Sequence, residues 1–312
     1  MMIVDMHCDT LSVAFRNKRS LATESHEGHA DLPRLRKGGV GIQFFALFGV
    51  DTNPSNALLF TLQLLDYFWE EYQENRKLIE PILSREDIDR CLAAGKIGAF
   101  LTIEGGEALG GSIQVLRTLY RLGIRGLGLT WNYRNEIADG VGESRTGGGL
   151  TRFGAEVVKE MNRLGMVIDV SHISESGFWD VLELSNGPVI ASHSNCRSVW
   201  DHPRNLSDEQ IKAIAQKGGI IGLNFMPDFL GPPVAGLNSL LKHIDHICNL
   251  VGDDYLGFGS DFDGIKASIP EVPDAAHYPV IIEALQKHGF DDVSICKICS
   301  ENCLRVLKAV LK

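Results

Sequence analysis

Three of the ten histidines in this 312-residue chain sit where chemistry is usually done. His7 in D-M-H-C-D, His172 in I-D-V-S-H and His193 in A-S-H-S-N each close an apolar run that reads as a strand. The other seven (His26, His29, His202, His243, His246, His277 and His288) fall in predicted loops or helices. Neutral imidazole is the commonest nitrogen ligand for zinc, so three gathered at strand ends suggest a metal site. Asp9 follows His7 by two, and residues i and i+2 of a strand face the same way. His7 and Asp9 are therefore expected to face the interior together, with Cys8 turned outward. Glu104 ends the apolar run 97–103 in T-I-E-G-G, where a carboxylate is costly to bury unless paired or coordinated. Asp261 and Asp263 close G-F-G-S-D-F-D-G, one suited to shuttling a proton and the other to a supporting or turn role. Each also has a plainer reading, as a satisfied core histidine or a solvated strand-end carboxylate.

Residues so far apart meet only if the fold gathers strand ends. Eight segments read as strands: 2–7, 39–48, 97–104, 124–131, 166–172, 188–193, 219–225 and 256–261. Helical periodicity fills the gaps at 57–74, 113–122, 154–164, 177–184, 208–216 and 237–251. Alternating strand and helix implies parallel pairing through crossovers. Eight such units predict a single α/β domain over 1–312, a closed (β/α)₈ TIM-type barrel with its site at the strands' C-terminal ends. Helices at 278–288 and 293–311 are expected to cover its outside. Two stretches break the rhythm, a link at 8–38 and a glycine-rich loop at 132–149 that reads as a cover over the mouth. No Lys-Ser/Thr pair follows those glycines, so the loop is not a phosphate-binding P-loop.

Composition narrows the partners. With 44% apolar and 22% charged residues the chain is an ordinary globule, and its net charge of −10 disfavours nucleic acid and anionic membranes. It contains no apolar run of the ~18 residues a membrane span needs, and the opening M-M-I-V-D-M-H-C-D-T is unlike a secretory leader. Seven irregularly spaced cysteines do not form a disulfide framework, and a reducing cytoplasm is the simplest location. Cys296, Cys299 and Cys303 read as a buried stripe on one helix.

Taken together, D-M-H-C-D-T, T-I-E-G-G, I-D-V-S-H, A-S-H-S-N, P-R-N-L-S-D and G-S-D-F-D-G resemble the membrane (renal-type) dipeptidases, zinc peptidases of the amidohydrolase superfamily. E-N-C-L-R-V near the C-terminus is similar too. The resemblance implies two zinc ions, with His7 and Asp9 on one, His172 and His193 on the other, and Glu104 bridging them. It implies that Arg204, in H-P-R-N, receives the substrate's free carboxylate and that Asp261 manages protons. The expected reaction is hydrolysis of a dipeptide by a hydroxide held between the metals. Two departures stand out. L-T-W-N puts Trp131 where the family commonly has a histidine touching the substrate carbonyl; its indole N–H can replace that donor or merely wall the pocket. Animal relatives are also lipid-anchored and disulfide-linked, features with no counterpart in this sequence. The alternatives are a hydrolase of another small amide, lactam or ester, or a metal-binding relative without turnover, against which Asp261 argues. A homodimer is left open.

Overall fold

The computed structural model describes residues 1–49, 56–231 and 235–312. The strands are β1 (Ile3–Cys8), β2 (Val40–Phe48), β3 (Ile79–Pro81), β4 (Ile97–Glu104), β5 (Gly126–Gly128), β6 (Val167–Asp169), β7 (Ile190–Ala191), β8 (Ile220–Leu223) and β9 (Leu256–Phe258). All pair in parallel in the order β2-β1-β9-β8-β7-β6-β5-β4, and β2 pairs again with β4 to close an eight-stranded ring. The short β3, which periodicity missed, flanks the start of β4 outside that ring. The expected (β/α)₈ barrel is therefore present.

Strand alternation builds the barrel's two surfaces. Val4, Met6, Ile42, Phe44, Phe100, Val167, Ile190 and Ile220 fill the interior, while Phe45, Leu47, Leu101, Ile103, Leu127, Ile168, Ile221 and Phe258 meet the surrounding helices. Burial on both faces explains why these strands read as near-continuous apolar runs. Crossover helices start on side-chain caps: Thr151, Ser174 and Ser207 each accept a hydrogen bond from the first turn, and Ser84 opens a capped helix, Arg85–Ala93.

Three expectations need revision. The final helix, Asn302–Val310, does not lie on the outside: Cys303, Val306 and Leu307 join the inner-facing cluster and close the barrel's bottom, with Ile88 and Cys91 of Arg85–Ala93 beside them. Cys299 and Cys303 are buried and unpaired as expected, but a π-helical turn at Lys297–Glu301 divides them between the outer and inner clusters. The link at 8–38 holds two short helices, Thr10–Arg16 and Leu32–Lys37.

Candidate active site

β1 contains a bulge that decides where His7 points. Asp5 pairs with Gln43 and Cys8 with Phe45, so three steps on β1 match two on β2. Strict alternation from Val4 and Met6 would have turned Cys8 inward. The extra residue instead places Cys8 in the outer layer and His7 in the mouth. Asp9 reaches the site by another route than the expected i+2 spacing: it is the N-cap residue of helix Thr10–Arg16, with φ −99° and ψ 18°. Glu104 needs no such device, since Phe100, Thr102 and Glu104 fall on one face of β4. The runs at 166–172 and 188–193 end as ladders well before their histidines, because beyond Asp169 and Ala191 the chain leaves the sheet to bring those rings over the mouth. His172 adopts φ 66° to do so, and Asp261 φ 62°.

The strand ends converge as the spacing predicted. Glu104 Oε2 lies 3.4 Å from His7 Nε2, while Glu104 Oε1 lies 3.0 Å from His172 Nε2 and 3.6 Å from His193 Nε2. Asp9 Oδ2 and Asp261 Oδ1 stand 3.5 and 3.8 Å from His7 Nε2. The carboxylate of Glu104 thus divides the cluster into a His7–Asp9–Asp261 half and a His172–His193 half. His7, Glu104 and His193, and separately His7, Asp9 and Asp261, converge closely enough to share an ion. A Cβ at Gly264 would collide with Asp9 and Asp261, so glycine there leaves the carboxylates their room.

Residues that sequence reasoning missed fix the histidine rings. Asn132 Oδ1 accepts from His172 Nδ1 at 2.8 Å. Ser192 Oγ accepts from His193 Nδ1 at 2.7 Å and donates to Asp169 Oδ2 at 2.5 Å. With both Nδ1 atoms donating, the two Nε2 lone pairs face each other only 2.7 Å apart, an arrangement that repels unless a cation joins them. His7 Nε2 and Asp9 Oδ1 are buried without a hydrogen-bond partner. Nitrogen and oxygen donors left bare in this way fit a divalent metal of zinc type. Asn224 Nδ2 donates to Asp261 Oδ2 at 2.9 Å. The signal available in sequence was slight: polar residues just past strands, in L-T-W-N, V-I-D-V-S and G-L-N-F.

Electrostatics agree with a cation site. Burial, reinforced by the Glu104 charge, pushes the Asp9 carboxyl up to about 7, and burial raises Asp261 to about 6. Burial also drives His172 down to about 4 and His193 well below its ordinary range, with Arg204 opposing their charged forms. Burial opposes the charged forms of His7 and Glu104 as well, but the Glu104 and Asp9 carboxylates raise the His7 imidazole well above its ordinary range and the neighbouring imidazoles lower Glu104. The carboxylates thus draw positive charge to the place where a metal ion would displace a proton from His7. A divalent ion ionises such acids and takes up the neutral imidazoles.

Arg204 overhangs this cluster. Its Nη2 donates to the His193 carbonyl at 3.2 Å, its guanidinium lies 5.7 Å from the Phe229 ring, and its Nε is unpartnered. It lines a cavity of about 270 Å³ with Val141, His172, Ile173, Ser174 and Leu206. The loop at 132–149 covers this side, and Val141 N donates to the His172 carbonyl at 2.7 Å. Trp131 stands at the rim, 6.3 Å ring to ring from His172. Asp263 lies apart from the His7–Glu104 cluster. It accepts from Thr10 Oγ1 at 2.7 Å and from the His29 N–H, tying the 8–38 link to the loop after β9.

The family model of the membrane dipeptidases, peptidase family M19, matches residues 1–312. The chain belongs to that family. An uncharacterised dipeptidase of Schizosaccharomyces pombe is 33% identical, over 98% of this chain and 80% of its own. An uncharacterised protein encoded in the pqqA 5′ region of Klebsiella pneumoniae is 36% identical, over 79% and 97%. A metallopeptidase of Rhodobacter sphaeroides, solved with a phosphinate mimic of the dipeptide L-Ala-D-Ala, is 30% identical and superposes with a TM-score of 0.93, covering 99% of each chain. Membership makes this protein a metallo dipeptidase-type hydrolase, and the strand-end cluster described above offers the candidate groups for holding a metal. Among the described residues of this membrane dipeptidase relative, no helix is long and apolar enough to cross a membrane.

Proposed function

We propose that the protein is a dipeptidase working with two zinc ions, one held by His7 and Asp9 and the other by His172 and His193, with Glu104 touching both. The observation that carries this reading is the divided carboxylate of Glu104, one oxygen facing each half of the cluster. Held there, the ions would polarise the scissile carbonyl and lower the pKa of a water. Asp261, fixed by Asn224, accepts the proton of the attacking water and returns it to the leaving amine. Arg204 pairs with the C-terminal carboxylate of the substrate, which restricts substrates to short peptides with a free end. The ligand of the Rhodobacter relative supports including dipeptides with a D residue at the C-terminal position. Seven unpaired cysteines, five of them buried, suit a reducing cytoplasm.

Elemental analysis of protein purified without added metal, together with turnover of L,L and L,D dipeptides, tests the proposal. The expected result is about two zinc ions per chain and zinc-dependent hydrolysis. Glu104→Gln should lower occupancy of both sites together; loss of a single ion would show that Glu104 serves one site alone.

A further inference from the structure

Resting on the dipeptidase reading, we propose that Phe48, Trp131 and Tyr133 form the subsite for the side chain of the substrate's N-terminal residue, and that they select aromatic or large aliphatic groups there. The three rings make one continuous patch. Trp131 lies 5.4 Å from Phe48 and 5.5 Å from Tyr133, both inclined steeply, and it is the ring that approaches the ligand His172. Phe48 and Trp131 are half-buried, and Tyr133 is 59% exposed. An aromatic cluster that is only partly covered leaves apolar area for an incoming group, while the phenol keeps its polar end in water.

Strand order says which group that is. Phe48 ends β2 and Trp131 follows β5, so the two flank Glu104 on β4, whereas Arg204 follows β7, opposite β2 and three strands round the ring from β4. A dipeptide with its carboxylate on Arg204 and its peptide bond over the Glu104 cluster therefore extends its first residue toward the aromatic patch. Two residues span about 7 Å, comparable to the step from His172 to Trp131. In this arrangement Trp131 is a specificity-determining residue, and its breadth matters more than its N–H.

Measuring kcat/KM on the zinc-loaded enzyme for Gly-Ala, Ala-Ala, Leu-Ala and Phe-Ala tests the assignment. Phe-Ala should exceed Gly-Ala by about tenfold or more, as expected for burial of a large apolar side chain. Trp131→Ala should bring that ratio close to one, Tyr133→Ala should reduce it, and Trp131→Phe should retain most of it. The ratio of Ala-Phe to Ala-Gly, which varies the other residue, should not follow. A flat series in the unaltered enzyme, or a ratio unchanged in both alanine variants, overturns the proposal. Tyr133 is at the surface, so its variant keeps the test open should Trp131→Ala not fold. Failure of the dipeptidase reading itself would look different, with no dipeptide hydrolysed at all.

Discussion

His172 and Asp261 both hold left-handed backbone conformations, which cost a non-glycine residue energy that the surroundings must supply. Backbone hydrogen bonds do so: Val141 N to the His172 carbonyl at 2.7 Å, and Asp261 N to the His7 carbonyl at 3.1 Å. If Asp261 carries the proton, Asp261→Asn should retain zinc and lose about 10²–10⁴ in kcat, checked by metal content and rate on the same sample. Near-normal turnover would move that role elsewhere. Arg204→Ala should lower kcat/KM for a dipeptide by about one and a half to three decades, with little further effect on the dipeptide amide; equal losses on both would assign Arg204 to the loop rather than the substrate. At this scale the sequence was informative about which side chains gather at the mouth and silent about their supports. His7, Glu104, His172 and His193 stood out because a charged or imidazole group ending an apolar run is unusual. Asn132, Asp169, Ser192 and Asn224 are ordinary polar residues whose importance lies in a partner on another strand, and such pairing is invisible along one chain.

The elements were legible where periodicity is long and lost where geometry is local. β4 runs over 97–104 as predicted, but β6 and β7 are far shorter than their apolar runs, since the residues beyond them turn away to serve the mouth. The β1 bulge left no mark in composition at all. Helix pairs around the barrel are joined by polar clasps as well as apolar contact. Glu160 on Arg152–Leu164 takes both nitrogens of a fork from Arg163, at 2.7 and 2.9 Å, and a third bond from Arg117 on Ile113–Arg121 at 2.6 Å. Those bonds from Arg163 and Arg117 depress its carboxyl from 4.5 to about 2. A depressed carboxyl stabilises the fold above its unfolded pKa and loses that contribution as the pH falls through the folded one. The difference in Tm between the unaltered protein and Glu160→Gln should therefore be constant above about pH 5.5 and shrink from about pH 5 toward 2. A difference independent of pH would mean that the clasp acts through packing alone.

For the whole molecule, the base of the barrel is where stability and access meet. Leu307 is 1% exposed and packs into the inner cluster with Val4, Met6 and Phe44. Leu307→Ala should cost about 2–5 kcal/mol in urea unfolding at fixed zinc concentration, while leaving kcat of the folded enzyme nearly unchanged because the plug is remote from the mouth. A fall in kcat as large as the fall in stability would show that the plug also sets the ligand geometry. A sealed base also governs traffic. On the dipeptidase reading, substrate enters and both amino acids leave through the mouth, and the departing C-terminal residue still carries the carboxylate proposed to pair with Arg204. That fragment stands in the path of the next dipeptide, so the free amino acid should act as a competitive inhibitor and the reaction should slow as its own product accumulates.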